Sequence, residues 1–167
     1  QPSARQAQPV GTLIDTSVLI AIERGHIGPD RLNSEDDDEP VAIAAITASE
    51  LLHGVHRVAG AVARTRAERF VERVLSSLPV IAFDIDVARV HARLDAELAA
   101  AGKAVGDADL MIAATAVWLD YRIATRDVRS FQLLNWEWLR SARALNLLNR
   151  SAAENQMAGQ QEPKCCA

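Results

Sequence analysis

Cysteine is nearly absent from this chain. Among 167 residues there are two cysteines, Cys165 and Cys166, which are adjacent at the C-terminal end. Neighbouring cysteines at one end of a chain cannot cross-link a fold, so nothing here points to an oxidising compartment. The scarcity of cysteine excludes a disulfide-stapled secreted domain and predicts a cytoplasmic protein.

Long apolar stretches are also missing. The longest, residues 110–119, has ten residues and includes Thr115, whereas a membrane-spanning helix needs about 20. Residues 1–6 lack the apolar core of a secretory signal. The sequence therefore predicts neither a membrane partner nor export.

The chain has no general excess of basic charge, which a nucleic-acid-binding protein often has. Its net charge is −4, and six acids with one arginine give the segment 30–39 a charge of −5. The rest of the chain therefore carries +1, and the charge balance neither supports nor excludes a nucleic-acid partner. We interpret the acidic segment as a solvated loop.

The composition is that of a globular protein. Hydrophobic residues make up 49% and charged residues 24% of a length that suits one domain. Residues 1–10 are polar and contain proline, which predicts a flexible arm. Residues 151–167 are rich in Gln, Ala and Glu without an apolar period, which predicts a disordered tail. The folded domain is expected at 11–150.

Short apolar segments alternate with helical patterns along this domain. Strands are expected at 12–14, 41–44, 80–83 and 122–125, with a turn and an edge strand within 131–139. Helices are expected at 18–24, 47–60, 64–78, 84–101 and from 106 onward. This alternation predicts an α/β/α sandwich with a mainly parallel central sheet.

Four acids fall at matching places in this pattern. Asp15 and Asp127 follow strands, while Glu50 and Asp109 are expected in first helical turns. Ligands bind beyond the carboxyl ends of parallel strands, and all four acids are expected at that edge. Carboxylates at close range repel one another unless a divalent cation neutralises them, and oxygen ligands suit Mg²⁺ or Mn²⁺.

A purely structural reading of these acids is also available. Acids in first turns stabilise the helix dipole and cap free amides without any chemistry. Thr47 and Glu50 have the spacing of a capping box, and we read Asp107 as the N-cap of the central helix. Taken singly, each acid favours the structural role, but four acids at matching strand ends favour a functional site.

Four segments together resemble the motifs of PIN-domain ribonucleases. They are Leu-Ile-Asp-Thr-Ser-Val-Leu-Ile at 13–20, Ile-Thr-Ala-Ser-Glu-Leu-Leu-His-Gly-Val at 46–55, Asp-Leu-Met-Ile-Ala-Ala-Thr-Ala at 109–116, and Ala-Thr-Arg-Asp at 124–127 with Phe131. They occur in the family's order, and the resemblance covers about residues 11–139. Their residue patterns look most like those of VapC toxins of bacterial toxin–antitoxin pairs.

The resemblance implies an activity and partners. It implies a Mg²⁺- or Mn²⁺-dependent endoribonuclease that cuts structured RNA such as tRNA or rRNA. It also implies a homodimer, a sheet order of 3-2-1-4-5, and a VapB-type antitoxin whose C-terminal arm blocks the acidic pocket.

The resemblance also implies a role for each matching residue. Asp15 and Asp109 would be the principal metal ligands. Glu50 would complete the pocket and position the attacking water, and Asp127 would support the metal's waters or a second metal. Two hydroxyl side chains, those of Ser17 and Thr125, would hydrogen-bond these acids.

Two other functions remain open from the sequence. One is a PIN module that holds RNA or a protein without cutting, which the intact set of acids argues against. The other is a PIN nuclease of RNA processing without an antitoxin. Near the predicted pocket loops, Arg24, Lys103, Arg126 and Arg129 are candidates to hold phosphates, although such side chains are often simply solvated.

Overall fold

The computed structural model describes residues 11–28 and 39–133. The strands in this part are β1 (Gly11–Ile14), β2 (Val41–Ala44), β3 (Val80–Ile81) and β4 (Tyr121–Ala124). The helices are α1 (Thr16–Glu23), α2 (Ala45–Arg57), α3 (Ala61–Ser77), α4 (Ile85–Ala100), α5 (Asp107–Leu119) and α6 (Val128–Gln132).

The four described strands lie in the order β3-β2-β1-β4, and every neighbouring pair is parallel. The predicted parallel sheet is thus confirmed, as are the first four positions of the predicted order 3-2-1-4-5. The fifth strand, expected within 131–139, lies largely outside the described residues. So do the predicted arm at 1–10 and tail at 151–167.

Alternation along the strands divides the core into two layers. Leu13 packs with α4 and α5 on one face of the sheet, whereas Ile14 packs with α1, α2 and α3 on the other. In β2, Ala42 and Ala44 face the first layer and Ile43 faces the second. Successive strand side chains point to opposite faces, so a sheet covered on both faces needs strands that are apolar throughout.

The central helix α5 is buried along most of its length. Leu110, Ile112 and the small residues that follow it are all buried, so this helix lies inside the domain. Thr115 is accommodated there because its Oγ1 donates to the carbonyl of Met111, 2.8 Å away. In the described ranges, no helix is long and apolar enough to cross a membrane.

The predicted caps of α2 and α5 are wrong. β2 runs directly into α2, which begins at Ala45, so Thr47 lies inside the helix and the capping box does not form. Glu50 is consequently in the second turn of α2 rather than the first. The N-cap of α5 is Gly106, and Asp107 is the first helical residue. Asp84 caps α4, accepting from the N–H groups of Asp86 and Val87 at 3.0 Å.

Candidate active site

Asp15 is fixed at the junction between β1 and α1. Its N–H donates to the carbonyl of Ala124 at 2.9 Å, and its side chain caps α1. Oδ2 accepts from the Ser17 hydroxyl at 2.5 Å, from the Thr125 hydroxyl at 2.7 Å and from the Ser17 N–H at 3.4 Å. All three bonds end on one oxygen, so Oδ1 is left to bind something else.

Ser17 and Thr125 also tie the β1–α1 junction to the loop after β4. Ser17 Oγ accepts from the Arg126 N–H at 2.9 Å, and Thr125 Oγ1 accepts from the Asp127 N–H at 2.9 Å. Each hydroxyl thus donates to Asp15 while accepting from the loop that carries Asp127. This arrangement orients both acids from one rigid hydrogen-bond network.

Asp109 lies in the first turn of α5 and is half-buried. Burial raises the pKa of its carboxyl above the ordinary value of 3.8, and the charges of Asp15 and Asp127 raise it further. A hydrogen bond with the Ser130 side chain lowers the pKa and opposes these effects. The carboxyl groups of Asp15, Asp109 and Asp127 are therefore close enough for their charges to act on one another.

Asp127 occupies the N-cap position of α6 and is exposed. Its Oδ2 accepts from the Ser130 hydroxyl at 3.2 Å. Ser130 therefore interacts with both Asp109 and Asp127 from the first turn of a short helix.

Glu50 is joined to the Asp15 segment through a hydroxyl. It is exposed on α2, and its Oε2 accepts from the hydroxyl of Thr16, the residue that follows Asp15, at 2.5 Å. Charge interactions connect Asp15 and Asp127 with Asp109, so the structure shows three of the four expected acids acting on one another and connects the fourth through Thr16.

The side chains can be tested for their fit to a divalent cation. Every candidate donor atom is oxygen. Among the described residues, no hydrogen bond ends on Asp15 Oδ1 and no cation pairs with Asp109. In residues 11–28 and 39–133, no three acids, histidines or cysteines are gathered tightly enough to hold an ion. Mg²⁺ keeps several waters and typically takes one or two protein carboxylates, so this set fits such an ion with the remaining acids acting through water.

Two residues of this site were not expected from the sequence. Sequence patterns give Thr16 no role in the site, yet it holds Glu50. They do not single out Ser130 either, yet it contacts two of the acids. A signal for Ser130 existed, because a hydroxyl three residues after a helix-capping acid lies within reach of it.

Comparison with known proteins agrees with the fold. The PIN domain family model matches residues 12–136. The chain therefore belongs to the PIN-domain family.

Individual relatives show which members of the PIN-domain family this chain is similar to. "Ribonuclease VapC" of Rickettsia bellii is 34% identical over 123 residues, which is 74% of this chain and 90% of that relative. A solved VapBC-5 toxin–antitoxin structure from Mycobacterium tuberculosis is 32% identical with a TM-score of 0.59, covering 74% of this chain and 90% of that one. DNA-bound VapBC from Salmonella typhimurium is 28% identical with a TM-score of 0.63, covering 74% and 91%. Within the PIN-domain family, this chain groups with the VapC ribonucleases, and the resemblance found in the sequence is confirmed.

Proposed function

We propose that this chain is a divalent-metal-dependent endoribonuclease that acts as the toxin of a VapBC-type pair. The observation that carries the proposal is the placement of three acids at one edge of the sheet. Asp15 is fixed after β1 by the Ser17 and Thr125 hydroxyls, and it lies with Asp127 close enough to the half-buried Asp109 for their charges to act on it. An uncompensated group of acids is costly in a fold unless a cation joins it. The names of its relatives, ribonucleases of the VapC type, support the same reaction.

Each of the four acids has its own role in the proposed centre. Asp15, through Oδ1, and Asp109 would hold Mg²⁺ or Mn²⁺ directly. Asp127 would hold the ion's waters, since it is exposed beside Asp109. When bound, such an ion lowers the pKa of a coordinated water and stabilises charge on the phosphorus and on the leaving oxygen.

The chain's own groups would orient the reaction. Glu50 is exposed and held by Thr16 at 2.5 Å, and it would position the attacking water and take its proton. Ser17 and Thr125 would hold Oδ2 of the Asp15 carboxylate by hydrogen bonds and so keep Oδ1 turned toward the proposed ion. These groups are held in place before RNA binds. Dipoles and charges that are already oriented stabilise a transition state without the free-energy cost of reorganising during the reaction.

The partners of the proposed toxin follow from its family. Several solved structures with similar folds are complexes named VapBC. We propose a VapB-type antitoxin that neutralises this chain, a homodimer as its working form, and structured RNA such as tRNA or rRNA as its substrate.

Cleavage of RNA tests the proposal. The purified chain, free of antitoxin, would be incubated with total bacterial RNA and either Mg²⁺ or Mn²⁺, then with EDTA. We expect discrete fragments that disappear with EDTA and with Asp109→Asn, while Asp107→Asn, a matched change two residues away, keeps its activity. Full activity of a folded Asp109→Asn protein would contradict the proposal. No cleavage with either metal would favour a PIN module that binds RNA or protein without cutting.

A further inference from the structure

A groove of about 600 Å³ lies beside the proposed acid centre, at the C-terminal end of α1 and the start of α6. Its lining is unusually basic for a protein of net charge −4. The lining residues are Ser17, Ile20, Ala21, Arg24, His26, Arg126, Asp127 and Arg129. We call it the arginine groove.

The three arginines of this groove are available to a ligand. Arg24, Arg126 and Arg129 are all exposed. Within the described ranges, none of these three side chains forms an ion pair or a hydrogen bond, whereas Arg122 is paired with Glu39. Guanidinium groups bind phosphate oxygens in pairs, and three of them around one groove form a site for a polyanion.

The groove shares a wall with the acid centre. Ser17 and Asp127 belong to both, and the Arg126 N–H donates to Ser17 Oγ, which in turn donates to Asp15. An anion in the groove would therefore lie directly beside the bond that the acids are placed to cut. The acids themselves repel phosphate, so a neighbouring basic surface is needed to hold the rest of the strand.

We propose that the arginine groove binds backbone phosphates of the RNA strand next to the bond that is cut. This inference rests on the proposed function, since it places the substrate of that centre. Arg24, Arg126 and Arg129 then position the strand without touching the reacting atoms. An acidic peptide is the other class of ligand that such a groove suits, but continuity with the acid centre favours the nucleic acid.

The chain supplies a matched control surface. On α3, Arg66, Arg69 and Arg73 line a second groove of about 630 Å³ that contains none of the four acids. All three are exposed. Replacing either set of three arginines by alanine removes the same charge. A difference in RNA binding between the two variants would therefore show that the position of the arginines matters, and not the total charge of the protein.

RNA binding tests the proposal independently of cleavage. A fluorescein-labelled single-stranded RNA oligonucleotide would be titrated with the full chain carrying Asp109→Asn, alone and combined with either set of alanines, over a range of salt. Each phosphate contact contributes about 0.7 to the slope of log affinity against log salt. We therefore expect the groove variant to lose about 2 from this slope and to bind at least about tenfold more weakly, while the α3 variant changes little.

The outcomes separate the two proposals. Equal losses in the two triple variants, or an unchanged slope in the groove variant, would overturn the groove assignment even if the unmutated protein cleaves RNA. Weaker RNA binding by the groove variant, in a protein that never cleaves RNA, would support the groove and contradict the nuclease. Unchanged RNA binding with lost binding of the antitoxin would overturn the proposal in favour of a peptide ligand.

Discussion

At the scale of single residues, the Asp15 carboxylate explains how a buried acid can be both a structural cap and a reactive group. It is 5% exposed. Its Oδ2 caps α1 by accepting from the Ser17 N–H, and it also accepts from the hydroxyls of Ser17 and Thr125. Within the part of the chain that the structure describes, no hydrogen bond ends on Oδ1. The helix cap and the proposed metal ligand would therefore be different oxygens of one side chain.

Thr125→Val tests the role of the hydroxyl network. The change removes the 2.7 Å bond to Asp15 and the acceptor of the Asp127 N–H, with little change in shape. Loss of a group that orients a metal ligand typically costs about 10- to 100-fold in activity or metal affinity, which is the expected fall in the RNA cleavage rate.

Thr115→Val is the matched control for this change. Thr115 and Thr125 are both 2% exposed, but Thr115 bonds only to the backbone of its own helix. The control is expected to cleave RNA at nearly the unmutated rate. Equal activities for the two valine variants would show that the Thr125 hydroxyl does not support the site.

Asp109 should make the metal-free protein less stable at neutral pH. Its pKa is raised in the folded state, so the folded protein binds this proton more tightly than the unfolded chain. Stability contributed by the protonated form is therefore present at low pH and is lost as pH rises through the raised pKa. Asp109→Asn is expected to melt at a higher temperature than the unmutated protein at pH 7 in EDTA.

The difference in melting temperature between the two proteins should disappear at low pH. Below the ordinary pKa of 3.8, the carboxyl is protonated in both states and resembles the amide, so the two melting temperatures should converge. Thermal unfolding at several pH values measures both. An unmutated protein that is at least as stable as Asp109→Asn at pH 7 would contradict this interpretation of the site.

At the scale of elements, the order of strands and helices was predictable because apolar segments and helical periods alternate clearly. The start of α2 was not, because no turn residue separates it from β2 and a capping pattern at Thr47 gave a false signal. The true start at Ala45 leaves Thr47 fully buried, and its Oγ1 has no partner among the described residues. Contacts such as Thr16 to Glu50 span 34 positions and depend on how α1 and α2 pack, which local patterns do not specify.

The pairing of β1 with β4 predicts a strict need for glycine at one position. Gly11 lies opposite Tyr121, and a Cβ at Gly11 would lie 2.5 Å from Tyr121 Cζ. Gly11→Ala should therefore destabilise the protein by about 1–3 kcal/mol through overpacking, as measured by urea unfolding.

Gly54→Ala provides the control for this prediction. Gly54 lies within α2, and a Cβ there would meet nothing within 4 Å. Alanine is the better helix former, so this variant should be more stable by roughly 0.5–1 kcal/mol. Gly11→Ala with unmutated stability would show that the Tyr121 ring moves aside without cost.

At the scale of the whole molecule, charge is sorted into neighbouring regions. The proposed acid centre and the arginine groove lie side by side at the carboxyl edge of one sheet. The motifs in the sequence predicted this edge, where Asp15 and Asp127 act on Asp109, while the roles of the four acids stay a prediction. The sequence offers Arg24, Arg126 and Arg129 only as separate candidates to hold phosphates. Arg24 lies about a hundred positions from the other two, and the fold brings all three to one groove.

Cation binding by the acid centre is the property on which the rest depends. Mn²⁺ binding to the metal-free protein, followed by electron paramagnetic resonance, measures it without any assumption about the RNA target. The unmutated protein and Asp107→Asn are expected to bind Mn²⁺ with equal affinity and to gain thermal stability from it. Asp109→Asn and Asp15→Asn should bind at least about tenfold more weakly. Undiminished Mn²⁺ binding by folded Asp15→Asn and Asp109→Asn proteins would contradict the assignment of these acids as the metal centre.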